Sequence, residues 1–181
     1  MGTTSSFFGG GGGGSVFLPH FSFTSNDTWN VDLDGQVCVH VIGGGASPNS
    51  SGDGGVGGGA GGYTRKIFNV TSGSSYTLTV GAGGKNQASG SASTFSGNGV
   101  SLTANGGASG GNTVGGAGGT ASGGDVNYTG GAGGNTVQNS DSSRAGGGSV
   151  SLFGTAYKAG TAYGYSGAAC GTGGSGIGGS S

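Results

Sequence analysis

The chain has 181 residues, of which 53 are glycine and two are proline, and apolar residues, glycine not counted, make up 30% of it, against about 45–50% with glycine counted in an ordinary soluble domain. Ordering a residue costs about 1.5 kcal/mol and glycine loses the most freedom, so one conventional hydrophobic core over the whole length is excluded. Five Lys or Arg against six Asp, with charged residues at 6%, exclude the clustered basic surface that nucleic acid requires and also the charge-rich composition of soluble disorder.

Residues 1–15, MGTTSSFFGGGGGGS, join an aromatic pair, Phe7 and Phe8, to a run of six glycines. The pair reads as an anchor toward a partner, or as a frayed terminus. The opening lacks the charged and apolar regions of a signal peptide. Gly2 and Ser6 fit the loose myristoylation pattern, a match expected by chance in a Gly/Ser-rich chain. No run approaches the eighteen apolar residues of a membrane span, so membrane insertion is not expected.

Residues 16–80 carry strand signals. In QVCVHVI, Val37, Val39 and Val41 fall on one face and Cys38, His40 and Ile42 on the other; SYTLTV alternates likewise, with Tyr76, Leu78 and Val80 on one side. Asp34-Gly35 between TWNVDL and QVCVHVI predicts a hairpin, because a type I′ turn needs positive φ at both positions. Ser72-Gly73 predicts a second hairpin between RKIFNV and SYTLTV. The expected product is a small antiparallel sheet or sandwich, with Phe21, Phe23 and Trp29 available for its core.

From about residue 81 to 181, glycine-rich pieces such as GAGG, NGGASGGN and VGGAGGTASGG alternate with richer stretches. Collagen's strict triplet is excluded and no helical period is present. Polyglycine-II-like helices, with three residues per turn and no internal hydrogen bonds, can instead bond to one another when their side chains are hydrogens. Ala, Ser, Val or Asn should then face outward or sit at turns, and loops should lie at both ends of the slab. A flexible Gly/Ser linker is the competing reading. The fold class expected is therefore all-β: a small sheet or sandwich followed by packed polyglycine-II-like helices and loops, with no α-helix.

Motifs for chemistry are sparse. His20 and His40 read as structural, and no nucleophile elbow precedes a helix. Gly57 to Gly62 satisfies G-x-G-x-x-G, but YTRKIFNV after it reads as a strand, so no helix N-terminus is there to hold a pyrophosphate. Cys38 and Cys170 lack metal or redox spacing and read as two free buried thiols, a disulfide between them being the alternative. Sequons occur at Asn26, Asn49, Asn69 and Asn127. No catalytic residue, metal or cofactor is expected.

TSNDTWNVDLDGQVCVHVIGGGA, a glycine loop and GGYTRKIFNVTSGSSYTLTVGAGG together resemble the glycine-rich domain of tail-fibre and other virion proteins of tailed bacteriophages; GGDVNYTGGAGG resembles that family's repeated glycine unit. The likeness covers about residues 24 to 135. The glycine half is further similar in style to distal tail-fibre adhesins, in which glycine helices pack into a lattice and variable loops bind the host. The chain departs from the family in ending GTGGSGIGGSS without a closing hydrophobic strand, and a neighbouring copy supplying that strand would make an oligomer.

The resemblance implies a non-enzymatic virion component, assembled in the host cytoplasm and exposed on the particle. Its implied partners are other virion proteins, further copies of itself, and a bacterial surface glycan or outer-membrane protein. Adaptable hydrogen bonders and flat aromatic rings between the glycine runs are the residue types that paratopes use. Receptor-binding candidates on that ground are Asn127 and Tyr128; Asn135, Gln138, Asn139, Asp141 and Arg144; and Tyr157, Tyr163 and Tyr165. The bland alternative is that they turn the chain and cap its lattice. Decoration of the particle without receptor binding, an ice-binding slab and an extracellular matrix protein are the competing functions.

Overall fold

The computed structural model describes residues 21–49, 54–136, 147–151, 154, 156 and 158–161, with the backbone of 143–144. Among them there is no helix, and the fold is all-β. The strands are β1 (Asp27–Asn30), β2 (Gly35–Ile42), β3 (Gly54–Gly55), β4 (Tyr63–Val70), β5 (Ser75–Thr79), β6 (Ser93–Gly97), β7 (Val100–Ala104), β8 (Ala121–Ser122), β9 (Val126–Tyr128) and β10 (Ser143–Arg144).

Two antiparallel sheets form the body, one ordered β1-β5-β6-β7-β8 and the other β2-β4-β9. Alternation drives both. Tyr76 and Leu78 of β5 turn inward while Thr77 and Thr79 face solvent, as their period of two requires. The shared core joins Val31, Val41, Val70, Tyr76, Leu78, Phe95, Leu102 and Ala104, with Phe23, Trp29 and Phe68 packed against it. Trp29 stacks on Tyr76 at 5.6 Å and Tyr76 on Phe95 at 5.0 Å, within the range where aromatic pairs add stability beyond their area. Phe21 remains about half exposed.

Neither expected hairpin forms. β1 pairs with β5, and β2 pairs with β4 from Gly35↔Val70 to Ile42↔Tyr63. The segments around Asp34-Gly35 and Ser72-Gly73 are crossings between the sheets that run side by side. They are tied by Val31 N–H to the Ser74 carbonyl (2.9 Å) and Gly73 N–H to the Val31 carbonyl (2.8 Å). Ser72 N–H also donates to the Asp34 carboxylate at 2.7 Å. Burying Val31 between the layers outweighs the local turn preference.

The tight hairpin lies where glycine-rich structure was expected. β6 and β7 pair around Asn98-Gly99, whose φ angles are 46° and 78°, the positive pair a type I′ turn demands. Sheet and glycine lattice are thus interleaved along the chain rather than divided near residue 80.

The glycine runs leave the sandwich as continuations of its strands. β2 runs into 43–47 and 56–62 returns to β4; β5 runs into 81–84 and 88–92 returns to β6; β7 runs into 105–110 and 115–120 returns to β8. After β9 the chain again runs outward, from 130 to 136. Their backbone bonds repeat every third residue. Gly57 and Ala60 donate to Gly134 and Gly131, whereas Gly59 and Gly62 donate to Ala108 and Asn105. Gly116 and Gly119 donate back to Gly57 and Ala60. Three residues per turn with all bonds between neighbouring segments is the pattern of polyglycine II.

Segment 56–62 is central and every one of its residues is buried. That includes Val56 and Ala60, 1% and 7% exposed, which corrects the expectation that non-glycine residues stay at the edge. At many of the glycines a side chain has no room. A Cβ on Gly59, Gly61, Gly116 or Gly133 would fall on a neighbouring backbone carbonyl, well inside the 3.0 Å that Cβ atoms keep.

Candidate functional site: the loop end of the glycine lattice

Because each glycine run extends a strand and returns to another, the sandwich lies at one end of the lattice and the connecting loops at the other. The expectation of loops at both ends is corrected in that respect. Segment 56–62 alone spans roughly 20 Å at ~3.1 Å per residue, so the loops stand well clear of the sheets.

Two turns meet at this end. Lys85–Ala88 closes with Ala88 N–H to the Lys85 carbonyl at 3.1 Å, and its central residues Asn86 and Gln87 hold φ of 51° and 67°. Glutamine rarely occupies that left-handed region. The turn is pinned by Gln87 N–H to the Ser47 hydroxyl, 3.3 Å. The second turn, Gly111–Val114, is closed by Gly111 N–H to the Val114 carbonyl at 2.9 Å, and Val114 is 59% exposed. Beside them runs the segment Ser47, Pro48 and Asn49, and the Asn49 side-chain amide donates to the Gly110 carbonyl at 2.8 Å.

Further bonds knit the turns together. Ser109 N–H donates to the Ser89 hydroxyl at 3.1 Å, and Thr136 N–H to the Thr113 carbonyl at 2.9 Å. β3 and β10 pair in parallel, Ser143↔Gly54 and Arg144↔Gly55, so the chain on either side of 137–142 also returns to this end. Lys85, Asn86, Gln87 and Asn112 are exposed there, giving amides and one ammonium on a framed backbone.

The expected site residues separate. Asn127 lies in edge strand β9, with its amide engaged inside the protein: its Oδ1 accepts from the Thr64 hydroxyl (2.7 Å) and Gly124 N–H (3.2 Å), and its Nδ2 donates to the Gly124 carbonyl (2.9 Å). Tyr128 stacks on buried Tyr63 at 6.0 Å and 16°. Asn135 is at the loop end, but its Oδ1 accepts from Gly115 N–H at 3.0 Å and from Lys158 Nζ at 2.7 Å. Arg144 is there through its backbone. Gln138, Asn139, Asp141, Tyr157, Tyr163 and Tyr165 lie outside the described residues, as do Phe7, Phe8 and Cys170.

Sequence reasoning missed Lys85–Gln87 and Gly111–Val114. The signal that finds them is the order strand, glycines, polar residues, glycines, strand, repeated from β2 to β8.

The sheet's outer face holds a second group. Cys38 is exposed, not buried as expected, because β2 turns Val37, Val39 and Val41 to the core and Cys38, His40 and Ile42 outward. Near it Asp125 bonds Ile67 N–H at 2.9 Å and Lys66 Nζ at 3.2 Å. The backbone donor first, and Lys66 second, hold its carboxyl below the usual carboxylate range.

No protein-family model, no curated protein and no solved structure matches the chain.

Proposed function

We propose that the protein is a non-enzymatic structural component of a tailed-phage virion, a glycine-rich tail fibre or appendage that attaches to the bacterial surface through the loop end of its lattice. The observation that carries this reading is the strand–glycine–loop–glycine–strand order. It spends the rigid part of the fold on holding polar turns about 12–20 Å from the sheets. Gln87 supports it: a non-glycine residue kept in the left-handed region at an exposed turn stores strain of order 1 kcal/mol or more, and such strain concentrates at binding sites. The resemblance of residues 24 to 135 to virion glycine-rich domains supplies the context. The sandwich end, preceded by Phe7 and Phe8, faces the particle and other virion proteins, and further copies add avidity to weak individual sites. A surface glycan or an outer-membrane protein loop is the partner class that exposed amides and hydroxyls suit.

Decoration without receptor binding is the second reading. It is favoured by Asn127, Tyr128 and Asn135, whose side chains serve the fold.

The test is binding of labelled protein to a panel of bacterial strains. Attachment predicts strain-restricted labelling that falls at least several-fold on Lys85→Ala/Asn86→Gly/Gln87→Gly, with unfolding unchanged or slightly stabilised. Labelling of no strain by folded protein overturns attachment in favour of decoration.

A further inference from the structure

The outer face of β2-β4-β9 carries a nucleophile, a base and an orienting group in contact, remote from the loop end. Cys38 and His40, two apart on one strand, project to the same side, and Cys38 Sγ lies 3.3 Å from His40 Nε2. The other ring nitrogen, Nδ1, is 2.8 Å from the Tyr63 hydroxyl. Tyr63 comes from β4 and is 1% exposed, fixed by its stack on Tyr128 and its tilted contact with the imidazole at 5.9 Å. The arrangement joins a rigid, buried third member to an accessible first one. A nucleophile within reach of a base that a third group orients is the signature of an activated side chain.

We propose that Cys38 is a base-assisted thiol that forms a mixed disulfide with an accessible disulfide, with His40 as the base and Tyr63 as the positioning residue. Tyr63 accepts the Nδ1–H through a hydroxyl lone pair, which leaves Nε2 bare toward the thiol. Burial, opposed by Arg65, pushes the Tyr63 phenol above its ordinary value, so it remains a neutral partner for the ring. The Cys38 S–H proton passes to Nε2, and the thiolate attacks one sulfur of RS–SR. A Cys38–SR bond forms, the S–S bond breaks, and the departing RS⁻ takes the proton from the imidazolium; no other oxidant is needed.

The charged and titratable groups around this face are Tyr63 and Arg65 of β4 and Tyr128 of β9, with the Lys66–Asp125 pair beside Ile67. Arg65 stands directly opposite His40 in the β2–β4 register, and Ile67 opposite Cys38. Ile42 and Ile67, 45% and 46% exposed, flank the pair with apolar surface that leaves the sulfur accessible.

The experiment incubates the full chain with oxidised glutathione and follows the adduct by intact mass, with peptide mapping to separate Cys38 from Cys170. The expected result is an adduct at Cys38 that forms at least ~100-fold more slowly in His40→Gln, the low end of what a positioned base supplies. His40 is on the exposed face, so this variant folds. The pH–rate profile of the parent carries a limb from the imidazole that the variant lacks. Tyr63→Phe should slow the reaction in the same sense. A Cys38-linked dimer in the mass spectrum would be a product of the same thiol. An equal rate and the same pH profile in parent and His40→Gln would overturn the proposal.

Discussion

Gly59→Ala adds one methyl group, and the lattice gives it nowhere to go. Gly59 lies in the fully buried segment 56–62, and its Cβ would fall on the Ala117 carbonyl, closer than the 3.0 Å that real Cβ atoms keep. The obstruction is backbone, so no side-chain rotation relieves it. Segments 56–62 and 115–120 must part locally, and the two bonds that flank the site, Gly116 N–H to the Gly57 carbonyl and Gly119 N–H to the Ala60 carbonyl (2.9 and 2.8 Å), are strained or lost. Each buried pair left unsatisfied costs about 1–3 kcal/mol, giving ~2–6 kcal/mol. Alanine's stiffer unfolded chain offsets up to ~1 kcal/mol of that. The net loss of about 1–6 kcal/mol is a large share of the ~5–15 kcal/mol that holds a protein folded. Urea unfolding followed by Trp29 fluorescence measures it, with Gly111→Ala as the control, since a Cβ there meets nothing within 4 Å. If both variants unfold at the midpoint of the parent, the close-packed lattice described here is wrong.

Two further outcomes follow from the sandwich. Leu102→Ala empties a fully buried position in the aromatic core and should lose about 2–5 kcal/mol in the same urea assay; a loss near zero would mean that the sheets do not pack as described. Asp125 is ionised in the fold with a carboxyl held below its ordinary value of 3.8, so its contribution is present above that pH and disappears as pH falls through the folded value. Thermal unfolding from pH 7 down to pH 2 should therefore show an acid-side loss that Asp125→Asn diminishes; identical profiles would exclude a role for the Ile67 and Lys66 contacts.

Much of this was legible in the sequence. Alternation separated Val37, Val39 and Val41 from Cys38, His40 and Ile42 and set Tyr76 and Leu78 on one face, because a period of two needs no knowledge of partners; which face turns inward it did not decide, and Cys38 was expected on the buried one. The absence of a helical period and the density of glycine were enough for an all-β chain with a backbone-bonded remainder. Composition also excluded a single conventional core. Those are statements about single residues and short spacings, which the chain carries locally.

Pairing was decided elsewhere. Asp34-Gly35 has good hairpin chemistry, yet β2 pairs across a glycine excursion with β4, because the Val31 crossing buries a core residue between two sheets. That excursion puts Val56 and Ala60 inside the lattice, and the next one, between β5 and β6, carries Lys85–Gln87 to its far end. Tyr63 reaches His40 only through the β2–β4 register, and the Thr64 hydroxyl reaches Asn127 only because β4 and β9 are neighbours. Each of these depends on which strand lies beside which, a choice set by the summed burial and hydrogen bonding of the whole assembly rather than by any stretch of residues read alone.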